Sequence, residues 1–103
     1  MNVFAVVLKH DPDRQAYDAC YEPLFQAVQS FEYKCLVPYT TYLVITDASD
    51  KEVWRAIFRP AAKSLSSKDR LYVIALCKPY QGYGSDNMLS WFDQHLPKRI
   101  RED

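Results

Sequence analysis

Glycine is nearly absent from this 103-residue sequence, and its two copies both fall in the segment "QGYG". Nucleotide-binding loops need several glycines at fixed spacing, because the backbone must approach a phosphate closely. Gly82 and Gly84 fit neither the P-loop nor the dinucleotide-binding pattern, so those two sites are excluded. Two glycines so close together predict a loop with backbone angles that other residues avoid.

Cysteine is scarce and scattered along the chain. Cys20, Cys35 and Cys77 form no C-x-x-C pair and no Cys/His ligand spacing, which argues against a zinc site. An odd number of separated cysteines is typical of reduced thiols, and we expect them to be buried. We predict no bound metal and no cofactor.

Long hydrophobic runs are missing as well. A membrane-spanning helix takes about 20 apolar residues, and no stretch approaches that length. The apolar run "VFAVVL" at 3–8 is too short for a signal peptide and has no basic segment before it. We therefore expect a cytoplasmic protein without a membrane partner.

Charge of one sign is not in excess, because thirteen basic residues balance thirteen acidic ones. A net charge of zero gives no long-range attraction to nucleic acid, although a local basic patch stays open. Lys98, Arg99 and Arg101 form such a patch, with a solvated tail as the alternative. The length and the 49% hydrophobic content predict one domain over 1–97, followed by a charged tail at 98–103.

Four segments have the composition of β-strands. The continuous apolar runs at 3–8 and 71–76 predict strands that are covered on both faces. "EYKCLV" and "TTYLVIT" are rich in β-branched and aromatic residues and are separated only by Pro38 and Tyr39, which predicts a hairpin.

Three segments have helical spacing. In the first, Pro23 is compatible with a helix that starts near Cys20, because first-turn N–H groups have no partner within the helix. Ser49 and Glu52 form a capping box that opens the second, which Pro60 ends or bends. Ser85 or Asp86 can cap the third. The apolar positions of the first helix are Tyr17, Tyr21, Leu24, Val28 and Phe31. Those of the third are Met88, Leu89, Phe92 and Leu96.

This order predicts an α+β protein, a ferredoxin-like βαββαβ sandwich with a short C-terminal helix. Right-handed crossovers place the first two helices on one face of the sheet. The other face then needs cover, either from a second copy of the chain or from the segment after Cys77. The predicted core is Phe4, Val6, Leu24, Val28, Leu43, Ile45, Val53, Ile57, Val73 and Ala75.

The polar residues after the first strand are the candidate catalytic site. His10 beside Asp11 could act as a base oriented by a carboxylate, or simply mark the point where a buried strand reaches solvent. Tyr80 and Tyr83 in the glycine loop can seal an interface or stack on a base. An RNA-recognition module has the same topology, but its glycine- and aromatic-rich signature is missing from the third strand.

Five segments together resemble one family: "YEPLFQAVQSF", "YKCLVPYTTYLVIT", "SDKEVWRAIF", "DRLYVIALC" and "MLSWFDQHL". They are similar to the SinR-like relatives of the second CRISPR-associated protein, the small spacer-acquisition subunit, over roughly 1–96. The resemblance implies a ferredoxin-like fold and a sheet-to-sheet homodimer, often with a C-terminal segment that reaches the partner. The wider group includes metal-dependent nucleases and a toxin branch.

The resemblance also implies where a metal would bind. In the nuclease members an Asp at the end of the first strand is a ligand, and that position is Lys9 here. An ammonium group repels a divalent cation, whereas Asp11 lies two residues further along. We therefore expect a non-catalytic interaction or regulatory protein, with a nuclease or toxin as the alternative.

We expect a homodimer through the helix-free sheet face, in which Lys9, Tyr80, Tyr83 and Trp91 make contacts. A protein partner and nucleic acid stay open as further partners, although the net charge does not favour nucleic acid.

Overall fold

The chain folds into one antiparallel sheet with helices on both faces, which confirms the predicted α+β class. The computed structural model describes residues 1–84 and 87–99. Within those ranges the elements are β1 (Asn2–Lys9), a 3₁₀ helix (Ala19–Tyr21), α1 (Glu22–Gln29), β2 (Glu32–Val37), β3 (Thr41–Thr46), α2 (Asp50–Ala61), β4 (Arg70–Leu76) and α3 (Met88–His95). No helix in the described part of the chain has the length and apolar character needed to span a membrane.

The strand order is β2-β3-β1-β4, and every neighbouring pair is antiparallel. Phe4 therefore lies opposite Val44 of β3 on one side and Ala75 of β4 on the other. Because β1 and β2 are both antiparallel to β3, they run parallel to each other with β3 between them. By the same argument β3 and β4 run parallel on either side of β1.

The first two helices pack on one face of the sheet, as predicted. Residues of β1 and β3 on this face contact the apolar sides of both helices. The buried members of this layer are Phe4, Val6, Leu24, Val28, Val44, Val53, Ile57 and Ala61.

The other face is not helix-free, which corrects the prediction for it. Tyr80 and the apolar residues of α3 pack on this face within the same chain. The buried members of this second layer are Val3, Ala5, Leu43, Ile45, Met88 and Leu96. The segment after Cys77 is fixed at its far end, because the Lys78 N–H donates to the Pro97 carbonyl at 2.8 Å. Cover is incomplete, since Tyr72 and Ile74 of β4 remain 49% and 50% exposed.

Edge strands account for most of the differences from the predicted core. β4 has one neighbouring strand, so Val73 and Ala75 are only partly buried and the predicted cover on both faces of β4 is wrong. Burial was also expected of the cysteines, but Cys35 on the other edge strand is exposed, and Cys20 and Cys77 are only half-buried. The other predicted core residues are all buried: Phe4, Val6, Leu24, Val28, Leu43, Ile45, Val53 and Ile57.

The helix termini follow local sequence signals. The Ser49 hydroxyl accepts from the Glu52 N–H at 3.3 Å, and the Glu52 carboxylate accepts from the Ser49 N–H at 3.2 Å, which confirms the capping box. Pro60 lies inside the last turn of α2 rather than ending it. α1 is shorter than its apolar spacing indicated, and Tyr17 lies outside it and is exposed. The predicted caps of α3, Ser85 and Asp86, lie outside the described residues, as does Arg101.

We expect Ile57→Ala to lower the free energy of unfolding by about 2–5 kcal/mol, because Ile57 is fully buried and its truncation leaves a cavity between α2 and the sheet. Urea unfolding followed by circular dichroism measures the change. Arg59→Ala at an exposed position of the same helix is the matched control, with an expected change within about 0.5 kcal/mol. Equal stability of Ile57→Ala and the native chain would contradict the assigned packing of α2.

Candidate functional site: the carboxylates at the end of β1

Two buried aspartates meet at one end of the sheet. Asp11 follows β1, and Asp69 directly precedes β4. Because β1 and β4 are antiparallel and Lys9 lies opposite Arg70, the end of one strand adjoins the start of the other. We call Asp11, Arg14, Tyr21, Ser66 and Asp69 the carboxylate cluster.

Asp69 is the centre of the carboxylate cluster. Its Oδ1 accepts from the Tyr21 hydroxyl at 2.5 Å and from the Asp11 N–H at 2.7 Å. Its Oδ2 accepts from the Ser66 N–H at 2.7 Å and faces the Arg14 guanidinium at 3.5 Å. A buried carboxylate is stable only when donors replace its lost hydration, and each oxygen of Asp69 has two.

Asp11 is satisfied in the same way. Its Oδ2 accepts from the Ser66 hydroxyl at 2.7 Å, and its Oδ1 accepts from the Asp13 N–H at 2.9 Å. The backbone N–H of Asp11 is shared between the Tyr21 hydroxyl, at 3.1 Å, and Asp69. Each carboxylate oxygen of Asp11 therefore accepts one donor of its own chain, whereas each oxygen of Asp69 accepts two.

Arg14 joins the loop after β1 to the segment after α2. Its Nη1 donates to the Ser64 carbonyl at 2.8 Å and to the Cys20 sulfur at 3.0 Å. Burial, followed by a hydrogen bond with Asp18, raises the pKa of the Cys20 thiol, so this thiol is not an activated nucleophile.

Hydrogen bonding sets the charge state of the carboxylate cluster. Donation from the Ser66 hydroxyl and the Asp13 N–H lowers the pKa of Asp11. Burial by itself raises the pKa of Asp69, but hydrogen bonds from Tyr21, Ser66 and Asp11 outweigh it and the resulting pKa is lowered. Burial, followed by the hydrogen bond to Asp69, raises the pKa of Tyr21 to about 12. At neutral pH the cluster holds two carboxylates and a neutral phenol donor.

The residues predicted beside Asp11 do not complete a catalytic or metal site. His10 is half-buried, and the bonds of the Asp11 carboxylate go to Ser66 and Asp13 rather than to the imidazole. Lys9 is exposed and lies opposite Arg70, so two cations flank this end of the sheet. Across residues 1–84 and 87–99, no group of three or more His, Cys, Asp and Glu side chains could hold a metal ion.

The other predicted contact residues lie far from this cluster. Leu76 pairs with Val3 at the opposite end of the sheet, and Tyr80 follows it by four residues. The Tyr80 hydroxyl donates to the Leu89 carbonyl at 3.2 Å, so this ring packs within the chain.

Trp91 also packs within the chain, where its ring lies 4.5 Å from the His95 ring, whereas Tyr83 is fully exposed. An RNA-recognition module stacks bases on aromatics of its two central strands, and the corresponding aromatics of β1 and β3, Phe4 and Tyr42, lie on the face that α1 and α2 cover.

Sequence reasoning missed most of the carboxylate cluster. Arg14, Ser66 and Asp69 were not singled out, and Tyr21 was assigned only to an apolar helix face, because most of their contacts join residues that are distant in sequence. The segment "SSKD" before β4 could have predicted one of these bonds. An Asp three residues after a Ser often accepts from the backbone N–H of that Ser, as Asp69 does from Ser66.

Comparison of this chain with known protein families, with curated proteins and with solved structures gave no match.

We expect Asp69→Asn to lower the free energy of unfolding by about 1.5–3 kcal/mol, because an amide cannot accept all four donors. Asp13→Asn is the matched control, since Asp13 is exposed and its pair with Lys68, at 2.6 Å, is worth about 1 kcal/mol or less. Denaturant unfolding of both variants at neutral pH measures the difference. Comparable losses in the two variants would contradict the central place of Asp69.

Stability should fall at both ends of the pH range. Asp11 and Asp69 have folded-state pKa values below the ordinary 3.8, so their stabilisation is present above that value and is lost as the pH falls through the folded-state pKa. Tyr21 has a raised pKa, so its stabilisation is present below pH 10 and is lost as the pH rises toward about 12.

Unfolding midpoints measured across this pH range test both signs. Asp69→Asn should flatten the acid limb, and Tyr21→Phe should flatten the alkaline limb. An acid limb that is equally steep in Asp69→Asn and the native chain would be evidence against the first assignment.

Proposed function

We propose that this chain is a non-catalytic, cytoplasmic interaction or regulatory protein that acts as a homodimer. The observation that carries the proposal is that every carboxylate oxygen of Asp11 and Asp69 accepts donors of its own chain, one on each oxygen of Asp11 and two on each oxygen of Asp69. A catalytic carboxylate has to offer an oxygen to a proton, a metal ion or a substrate, whereas both oxygens of Asp69 are fully bonded and both oxygens of Asp11 already accept a donor of the chain. These two carboxylates instead hold together two loops of the fold.

We further propose that the fold is ferredoxin-like and related to the SinR-like group that the sequence resembles. The strand order supports this, because each crossover through α1 or α2 connects parallel strands that have one antiparallel strand between them. That interleaving is the split βαβ arrangement. Packing of both crossover helices on one face supports it as well.

The contact surface that we propose is the part of the sheet that α3 leaves uncovered. Tyr72 and Ile74 are half exposed there, which is unusual for neighbouring large apolar residues on one strand. Exposed Tyr83 lies in the loop that leads to α3 and is available to a protein partner.

A metal-dependent nuclease or toxin is the second candidate, because Asp11 and Asp69 both bond Ser66 and so lie close together. To bind a cation, Asp69 would have to give up donors, because each of its oxygens already accepts two. Lys9 and Arg70 oppose such a cation electrostatically.

We expect no cleavage when the purified chain is incubated with labelled RNA or DNA and Mg²⁺ or Mn²⁺. Gel analysis over several hours, against buffer alone, gives the readout. If cleavage occurs, Asp11→Asn and its exposed control Asp13→Asn identify its source. Cleavage that Asp11→Asn abolishes and Asp13→Asn retains would establish the nuclease and overturn the proposal.

A further inference from the structure

We propose that β4 pairs in antiparallel fashion with β4 of a second copy, so that two sheets join into one around a two-fold axis at Val73. This inference deepens the proposed function and rests on it, because it names the surface and geometry of the homodimer. It differs from the sheet-to-sheet dimer expected from the sequence.

The two edges of the sheet are protected very differently. β2 carries charged Glu32 and Lys34, has an irregular register between Cys35 and Val37, and is followed by Pro38. Charges, irregularities and proline are the devices that keep an edge strand from pairing with another chain. β4 has seven residues in regular register with β1, and after Arg70 it reads "LYVIAL" without charge or proline. β4 is therefore the edge that is open to pairing.

The sequence of β4 is complementary to itself. With Val73 opposite Val73 of the copy, Tyr72 lies opposite Ile74 and Leu71 opposite Ala75. Aromatic and β-branched residues directly opposite each other are favourable cross-strand pairs. Arg70 falls opposite Leu76, so the register brings no like charges face to face. Pairing would also cover Tyr72 and Ile74, the exposed apolar residues that α3 leaves.

The helix side of this edge is complementary as well. Asp50, Lys51, Trp54 and Arg55 of α2 line a groove beside Val73. A two-fold axis at Val73 brings this groove against its own copy, and each groove supplies both an acid and bases. Edge pairing of one strand buries less than the ~800 Å² per partner of a stable interface. The part-exposed Trp54, stacked on Phe58 at 4.9 Å, supplies further apolar area next to the axis.

Packing of two α3-covered faces is the competing arrangement, and the structure disfavours it. Val3 and Ala5, at the centre of that face, are already buried by α3. The part of this face that stays exposed, Tyr72 and Ile74, lies on the edge strand β4. A second copy covers it most directly by pairing with that strand.

Light scattering at micromolar concentration tests the assembly. We expect twice the 12.0 kDa mass of one chain. Ile74→Lys should return the mass to that of one chain, because it places a charge opposite Tyr72 of the copy. Val37→Lys is the matched control, since Val37 is a β-branched residue that is 47% exposed on the opposite edge. It should leave the doubled mass unchanged, and circular dichroism checks that both variants are folded.

Disulfide formation tests the register, in a Cys35→Ser background that removes the exposed native thiol. Opposed residues of antiparallel strands have Cα atoms roughly 4.5–5.5 Å apart, which a disulfide spans. Val73→Cys should therefore cross-link on mild oxidation. The two copies of residue 74 would be roughly 8 Å apart and should not cross-link in Ile74→Cys.

Three outcomes overturn the edge pairing. A single-chain mass removes the homodimer altogether. If Ile74→Cys cross-links and Val73→Cys does not, the two α3-covered faces pack against each other. The homodimer then stands, but the edge pairing does not. A doubled mass that survives Ile74→Lys places the interface elsewhere. Nucleic-acid cleavage is independent of all three, so loss of the non-catalytic assignment is distinguishable from loss of this geometry.

Discussion

The burial of β1 on both of its faces is the constraint on which the rest of this structure depends. Val3 and Ala5 face one layer, while Phe4 and Val6 face the other. A strand with apolar side chains on both sides is stable only between two layers, because either face left in water would expose apolar area. One layer comes from α1 and α2, and the other from α3. The helix α3 thus covers apolar residues of β1 that would otherwise be exposed to water.

The cluster at the end of β1 shows how a buried charge can be structural. Asp69 is withdrawn from water, yet Tyr21, Ser66 and Arg14 replace its hydration. Lowered pKa values are frequent at catalytic sites, but ion pairs and hydrogen bonds within a fold produce them too. Here the shifts have their partners inside the chain, and for that reason we assign the cluster to stability rather than to chemistry.

Local sequence signals were sufficient for much of this fold. The hairpin, the capping box at Ser49 and the apolar positions of α2 all depend on neighbours within a few residues. What could not be predicted depends on strand order. "VFAVVL" and "LYVIAL" look alike as sequences, but β1 is central and β4 is at the edge, so only β1 is covered on both sides. Periodicity reports the composition of a strand and not its neighbours.

The site was harder to predict for the same reason. Asp11 stood out because it follows an apolar strand, whereas its partners Ser66 and Asp69 come from the far side of the hairpin and α2. The position that the family resemblance assigned to a metal ligand carries Lys9, and the structure sets Arg70 across from it.

The bond between the Asp11 N–H and Asp69 joins residues 58 positions apart and therefore has a kinetic consequence. The whole of α1, the β2–β3 hairpin and α2 lies between them, so the contact closes a long loop and we expect it to form late in folding. Interactions that appear late on the folding path add little to the folding rate. Their stabilisation is expressed as slower unfolding, so this buried contact would mainly lengthen the lifetime of the folded chain.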